Sequence, residues 1–174
     1  MLTKQLPAAV KFVCGIIYAE EKILLKTLHI LRKKFGDIDF ESQALDFNYT
    51  NYYQEEMGNN LKRKFISFKK LKDPSEFIKV KLFCLKIEKK FSIHNKRQIN
   101  LDPGYLNEAK LVLTTSKDFS HRIYLSRAVY AEVTLLYENG DFKDLPSTFP
   151  DYRTKEYKAI LKVIRNIYRK QIHL

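Results

Sequence analysis

Cysteine is nearly absent from this chain. Its two cysteines, Cys14 and Cys84, lie seventy residues apart, and neither has a Cys or His at metal-ligand spacing. That excludes a disulfide framework and a thiolate zinc site, and it points to a reducing compartment. Each thiol sits in an apolar run, Phe12–Ile17 or Leu82–Leu85, and reads as a small buried hydrophobe. Glycine and proline are also sparse, five of each in 174 residues, which leaves no room for a flexible linker or a low-complexity segment. Long apolar runs are missing. The segment Ala8–Ala19 has twelve residues, short of the ~20 that span a bilayer. Glu20 and Glu21 follow it where a signal peptide would carry a small-residue cleavage site. Neither a G-x-x-x-x-G-K-[S/T] phosphate loop nor a G-x-G-x-x-G turn occurs. The expectation is a cytoplasmic protein with no membrane attachment.

What is present is a globular composition, 45% hydrophobic and 30% charged, over a length that suits one α+β domain spanning residues 1–174. The net charge is +12 and the pI near 9.6, which invites a polyanionic partner. The cations are 24 Lys and only 8 Arg, however, and planar bidentate recognition of phosphate favours Arg. Part of the positive charge is therefore compositional.

Periodicity orders the elements. Val10–Tyr18 is a β-branched and aromatic run, read as a strand. Glu20–Phe35 follows as a helix, with Ile23, Leu24, Leu28, Leu31 and Phe35 at helical spacing and Gly36 as its stop. Ile38–Phe47 reads as one extended strand, Asn48–Asn60 as a polar and aromatic loop with one helical turn, and Arg63–Lys69 as a strand. Asp73-Pro74-Ser75-Glu76 is a capping box opening a helix to about Phe91. Gln98–Leu101 reads as a short strand running into an Asp102-Pro103-Gly104 turn. Lys110–Thr115 leans to strand over helix. Arg122–Leu125 and Val129–Tyr137 read as paired strands, Asn139-Gly140 as a hairpin turn, and Thr154 as the cap of a last helix to about Lys170. The order predicts a ferredoxin-like β-α-β-β-α-β core with an antiparallel sheet extension and a C-terminal helix.

Two segments concentrate polar chemistry. Asn100–Tyr105 ends a strand in a rigid turn that fixes Asp102 at a sheet edge; ordinary turn chemistry is the competing explanation. Lys117-Asp118-Phe119-Ser120-His121-Arg122 lies between two apolar strands. His121 suits acid–base work, Lys117 and Arg122 suit a phosphate or carboxylate, and Asp118 suits orienting the histidine or binding a cation. A solvated loop of mutually paired charges is the alternative. Glu132 interrupts an apolar strand and needs a partner if its face is covered; a solvent-facing side is the alternative slightly preferred. Arg153 precedes a helix N-terminus, a place that favours anions. Lys155, Lys158, Lys162, Arg165 and Arg169 fall on one face of the last helix, opposite Tyr157, Ile160, Leu161, Ile164 and Tyr168. That row suits a nucleic-acid backbone or a plain solvated face.

The blocks Ala9–Tyr18, Phe35–Ser42, Tyr52–Gly58, Asn100–Tyr105, Lys117–Leu125, Tyr130–Leu135 and Pro150–Thr154 recur in order and spacing in a prokaryotic family. On them the chain resembles the family catalogued as domain of unknown function 4416. The matching blocks are polar, carrying Asp102, Lys117, Asp118, His121, Arg122, Glu132, Asp151 and Arg153. The resemblance therefore implies a shared site and not only shared packing. Ser147 stands where the resemblance implies a Trp, so an aromatic platform at that position is not carried over.

The expectation is an enzyme or enzyme-like domain acting on a phosphorylated ligand, a nucleotide or an RNA end. His121, Asp102, Asp118 and Glu132 would be the catalytic set, with Mg²⁺ as a possible cofactor of the carboxylates. Lys117, Arg122, Arg153, Asn100 and Tyr105 would bind the substrate. The alternative is a non-catalytic RNA-binding module that uses the last helix.

Overall fold

The computed structural model describes residues 5–173. It is an α+β fold built on one sheet of nine antiparallel strands. The elements run β1 (Lys11–Tyr18), α1 (Glu21–Phe35), β2 (Ile38–Glu41), β3 (Leu45–Asp46), α2 (Gln54–Met57), β4 (Lys62–Phe68), α3 (Phe77–Lys90), β5 (Ile99–Leu106), β6 (Lys110–Thr115), β7 (Ile123–Ser126), β8 (Val129–Glu138), β9 (Asp141–Asp144) and α4 (Lys155–Ile172). Along the sheet the order is β2-β4-β1-β5-β6-β8-β7, with β3 beside β4 and β9 beside β8.

β1 is buried along its whole length because helices cover both faces of the sheet at its centre. Its even residues Phe12, Cys14, Ile16 and Tyr18 join α1 and α3 in one core. Val13 packs on the other face with Phe65 and with Tyr157, Leu161, Ile164 and Tyr168 of α4. Successive strand side chains point to opposite faces, so one strand serves two cores. The capping box forms as expected: Asp73 accepts from the Ser75 N–H and Glu76 accepts from the Asp73 N–H. Thr154 caps α4 by accepting from the Tyr157 N–H. Among the described residues, no helix is long and apolar enough to cross a membrane.

Two expectations fail in instructive ways. Ile38–Phe47 is not one strand. It breaks at Ser42–Ala44, where the Ser42 hydroxyl takes the Phe65 N–H that a backbone carbonyl would otherwise hold. Nor is Asp102-Pro103-Gly104 a turn: β5 continues through it, pairing with β1 from Ile99 to Leu106. The β5–β6 pairing begins only at Gly104, opposite Leu113. Pro103, with no N–H to donate, sits just beyond, where its carbonyl accepts the Thr114 hydroxyl at 2.8 Å. Gly104 is needed because β6 passes close by, and a Cβ there would lie 2.2 Å from the Val112 carbonyl oxygen. β5 and β6 therefore part at Pro103 and leave a notch in the sheet.

Candidate functional site

The notch opens into a cavity of about 540 Å³. Its walls come from the 47–53 loop, β4, α3, the first half of β5, the end of β6, Glu132 of β8 and the loop before α4. Five cations (Arg63, Lys81, Arg97, Lys117, Arg122) and four carboxylates (Glu88, Asp102, Glu132, Asp151) line it. A cavity wall this charged must be internally paired to persist.

Arg63 is the centre of that pairing. β4 alternation puts it on the same face as Phe65, so its guanidinium enters the interior, and the residue is 2% exposed. It donates through Nη1 to Asp102 Oδ2 at 2.8 Å and through Nη2 to Asp151 Oδ2 at 2.9 Å. The rings of Phe47, Phe65, Tyr152 and Tyr157 surround it at 5.1 to 5.9 Å. Gly15 leaves the space: a Cβ there would be 2.8 Å from Arg63 Nη1 and 3.1 Å from the Tyr152 hydroxyl.

The two carboxylates differ. Burial disfavours the charge on Asp102, but Arg63 and Lys81 nearby, with hydrogen bonds from Arg63 and Asn100, outweigh it, and its pKa lies below the ordinary value. Asp151 has Arg63 but neither Lys81 nor Asn100; there desolvation prevails over Arg63, the Asp102 charge adds to it, and the pKa is raised. One guanidinium thus holds a carboxylate that ionises readily and one that keeps its proton longer.

A second tier extends this cluster. Asn100 donates to Asp102 Oδ1 and accepts from Arg97, which in turn binds Glu56 at 2.6 Å. Across the notch, Lys81 donates to the Leu101 carbonyl, and Glu88 accepts from the Leu101 N–H. Burial pushes the Glu88 carboxyl up, partly offset by Lys81. At the mouth, Glu132 is 4% exposed, and its Oε2 meets both His121 Nε2 and Arg122 Nε at 2.8 Å. Arg122 also donates to the Lys117 carbonyl. Lys117 reaches over the Tyr52 ring, 4.2 Å from its centroid, and bonds the Tyr52 hydroxyl. That bond pulls the Tyr52 pKa down.

Compared with known proteins, residues 8–168 match the model of the family described as Domain of unknown function (DUF4416). The chain belongs to this family. No curated protein and no solved structure matches it. The residues that line the cavity of this DUF4416 chain all fall within the matched span.

The residues expected to form the site divide. Asn100, Asp102, Lys117, Arg122 and Glu132 converge on the cavity. His121 touches Glu132 but is not part of the lining. Glu132 does not face solvent as expected; it is covered by His121 and Arg122 from the preceding loop, and the Arg122 guanidinium pairs with it. Tyr105 lies at the α1/α3 core, 5.2 Å from the Phe77 ring, because β5 continues as a strand and turns that side chain away. Arg153 is spent on the carbonyls of Leu145, Pro146 and Thr148. Asp118 is exposed on its loop. Among the described residues, no three His, Cys, Asp or Glu side chains group as metal ligands, so Asp102, Asp118 and Glu132 do not assemble the cation site considered for Mg²⁺.

On α4, Lys158 pairs with Asp144, Lys162 with Asp141, and Arg169 with Glu108. Arg165 is buried, 3.5 Å from the Tyr137 ring centroid, and donates to the Glu108 carbonyl. Lys155 is exposed.

Arg63, Lys81, Glu88 and Arg97 were not singled out from sequence as site residues, and Asp151 entered only through the family resemblance, with no role assigned. Arg63 carried a usable signal: it shares parity with Phe65 in an apolar strand, and a charge on a covered face needs a partner. Lys81 and Glu88 fall on the α3 stripe that buries Val80, Cys84 and Ile87.

Proposed function

We propose that the cavity binds a phosphorylated small molecule or nucleic-acid end and that the domain is an enzyme or enzyme-like. The observation that carries this is the stacking of charge along one cavity. Lys117 and Arg122 stand at its mouth, and Asp102 and Asp151 share Arg63 within it. Cations at the mouth suit an anionic group. Two carboxyls whose environments push their pKa values apart form the usual arrangement of an acid and a base. In this reading Asp151 delivers or accepts a proton, Asp102 stays ionised, and Arg63 positions both. His121 orients Glu132 and, through it, Arg122. A role for α4 in RNA binding has less support, because Lys158, Lys162 and Arg169 meet acids of the same chain and none of them lines the cavity. We also read β1 to β5 with α1 and α3 as a ferredoxin-like unit, which the order β2-β4-β1-β5 and the shared α1/α3 core support.

The test is a thermal-shift screen of phosphorylated metabolites, with and without Mg²⁺, followed by turnover assays on the compounds that bind. Binders should raise the melting temperature of the wild type and lose that effect in Lys117→Ala. A screen in which no phosphorylated compound stabilises the protein at millimolar concentration rejects the reading.

A further inference from the structure

We infer that the ligand is a nucleoside phosphate that enters base first, with its ring system in the buried half of the cavity and its phosphate left on Lys117 and Arg122. This rests on the phosphorylated-ligand reading above and adds the class of ligand and its direction.

Aromatic side chains decide the class. Phe47, Tyr49, Tyr52, Tyr53, Phe149 and Tyr152 all line the one cavity. A phosphate or sugar phosphate needs cations and hydroxyls and makes no use of ring faces. A planar base stacks on them whatever its sequence identity. The volume, about 540 Å³, falls in the range of a pocket for one molecule of that size.

Three of the rings are open to solvent at the mouth: Tyr49 at 38%, Tyr52 at 54% and Phe149 at 39%. Two of them are coupled to the mouth cations, Lys117 over Tyr52 at 4.2 Å and Arg122 over Phe149 at 6.0 Å. The mouth therefore offers a ring and a positive charge side by side, twice.

Charge decides the direction. The inner cations are already engaged, Arg63 by Asp102 and Asp151, Lys81 by the Leu101 carbonyl and Arg97 by Glu56 and Asn100, so a phosphate driven inward would have to displace those partners. The inner end instead offers groups suited to a base edge. Tyr152 is 2% exposed, and its hydroxyl has no hydrogen-bond partner among the described residues. Glu88 commits one carboxylate oxygen to the Leu101 N–H.

Calorimetry on the full chain tests this with AMP, CMP, GMP and UMP, the matching nucleosides, ribose 5-phosphate and inorganic phosphate. At least one mononucleotide should bind about tenfold or more tightly than both its nucleoside and ribose 5-phosphate, a difference of about 1.4 kcal/mol. Lys117→Ala should bring that nucleotide toward its nucleoside's affinity, with Arg122 left to hold the phosphate, and leave the nucleoside unchanged. Tyr53→Leu, which removes a half-buried ring of the lining and keeps apolar bulk beside Phe47 and Leu61, should weaken nucleotide and nucleoside by the same factor and leave ribose 5-phosphate unchanged. Lys117 is exposed, so the fold does not depend on it. Ribose 5-phosphate binding as tightly as every mononucleotide overturns the base-first inference while the phosphorylated-ligand reading stands. A nucleoside weakened by Lys117→Ala as much as its nucleotide overturns the direction. If no phosphorylated probe binds, both fall.

Discussion

Gly104 and Val112 lie against each other at a separation that only glycine permits: a Cβ on Gly104 would be 2.2 Å from the Val112 carbonyl oxygen. The obstacle is backbone, so it cannot swing aside. Gly104→Ala must push β6 away from β5 just where their pairing begins, and the notch geometry changes with it. We expect a loss of about 1–3 kcal/mol, the usual cost of overpacking. Urea denaturation measures it, and a variant as stable as the wild type would contradict the close approach.

Asp102 and Asp151 should respond to pH in opposite senses. The folded-state pKa of Asp102 is depressed, so its stabilising contribution is present above its unfolded value of about 3.9 and is lost as pH falls through the lower folded value. That of Asp151 is raised, so its contribution is present below about 3.9 and is lost as pH rises through the folded value. Asp102→Asn should therefore cost about 2–3 kcal/mol at pH 7, the worth of a charged hydrogen bond, and progressively less toward pH 3. Asp151→Asn should be neutral or stabilising at pH 7, with the difference from wild type shrinking in acid. Melting curves of both variants across that range decide it. Equal losses at pH 7 would show that the two carboxylates are not differentiated.

The basic row on α4 should prove unequal in stability. Arg165 is buried against Tyr137 and bonds a backbone carbonyl, whereas Lys162 makes a half-exposed ion pair. Arg165→Ala should cost about 2 kcal/mol through lost packing and an unpartnered Glu108 carbonyl. Lys162→Ala should cost below about 0.5 kcal/mol. Chemical denaturation separates the two, and similar losses would mean that the row acts as one surface feature.

The β7–β8 hairpin turns at Arg127 and Ala128, whose φ values are 54° and 56°. Positive φ is costly for residues with a Cβ, and a two-residue turn of this kind prefers Asn-Gly. The double change Arg127→Asn, Ala128→Gly should stabilise the protein by about 1 kcal/mol. A lower melting temperature would show that one of the two side chains holds something in place.

That turn also shows where sequence reading stops. Asn139-Gly140 was legible as a hairpin because both residue types tolerate positive φ, and both adopt it. Arg127-Ala128 makes a comparable turn with residues that give no sign of it. Helices α1, α3 and α4 were legible from period and caps, which are local. Asp-Pro-Gly at 102–104 misled for the opposite reason. Its local preference for a turn yields to tertiary facts, namely β1 alongside and β6 too near for a side chain. The cavity was half legible. Asp102, Lys117, Arg122 and Glu132 stood out as polar residues in loops or apolar strands. Arg63, which joins Asp102 to Asp151 across 39 and 88 residues of chain, is defined by its partners, and no local pattern supplies those.

β8 changes partner along one edge. β7 covers it at Val129–Ala131 and β9 at Leu135–Glu138, and between them Thr148 donates its hydroxyl to the Thr134 carbonyl at 2.6 Å. A single threonine thus stands in for a missing strand. The same loop, fastened by Arg153, carries Phe149 and Asp151 to the cavity. Either hairpin could grow or shrink at its tip without disturbing that seam. Residues 145–151 have no such freedom, because one added residue would slide Thr148 off its carbonyl and carry Asp151 away from Arg63. Length, more than composition, is what this loop has to preserve.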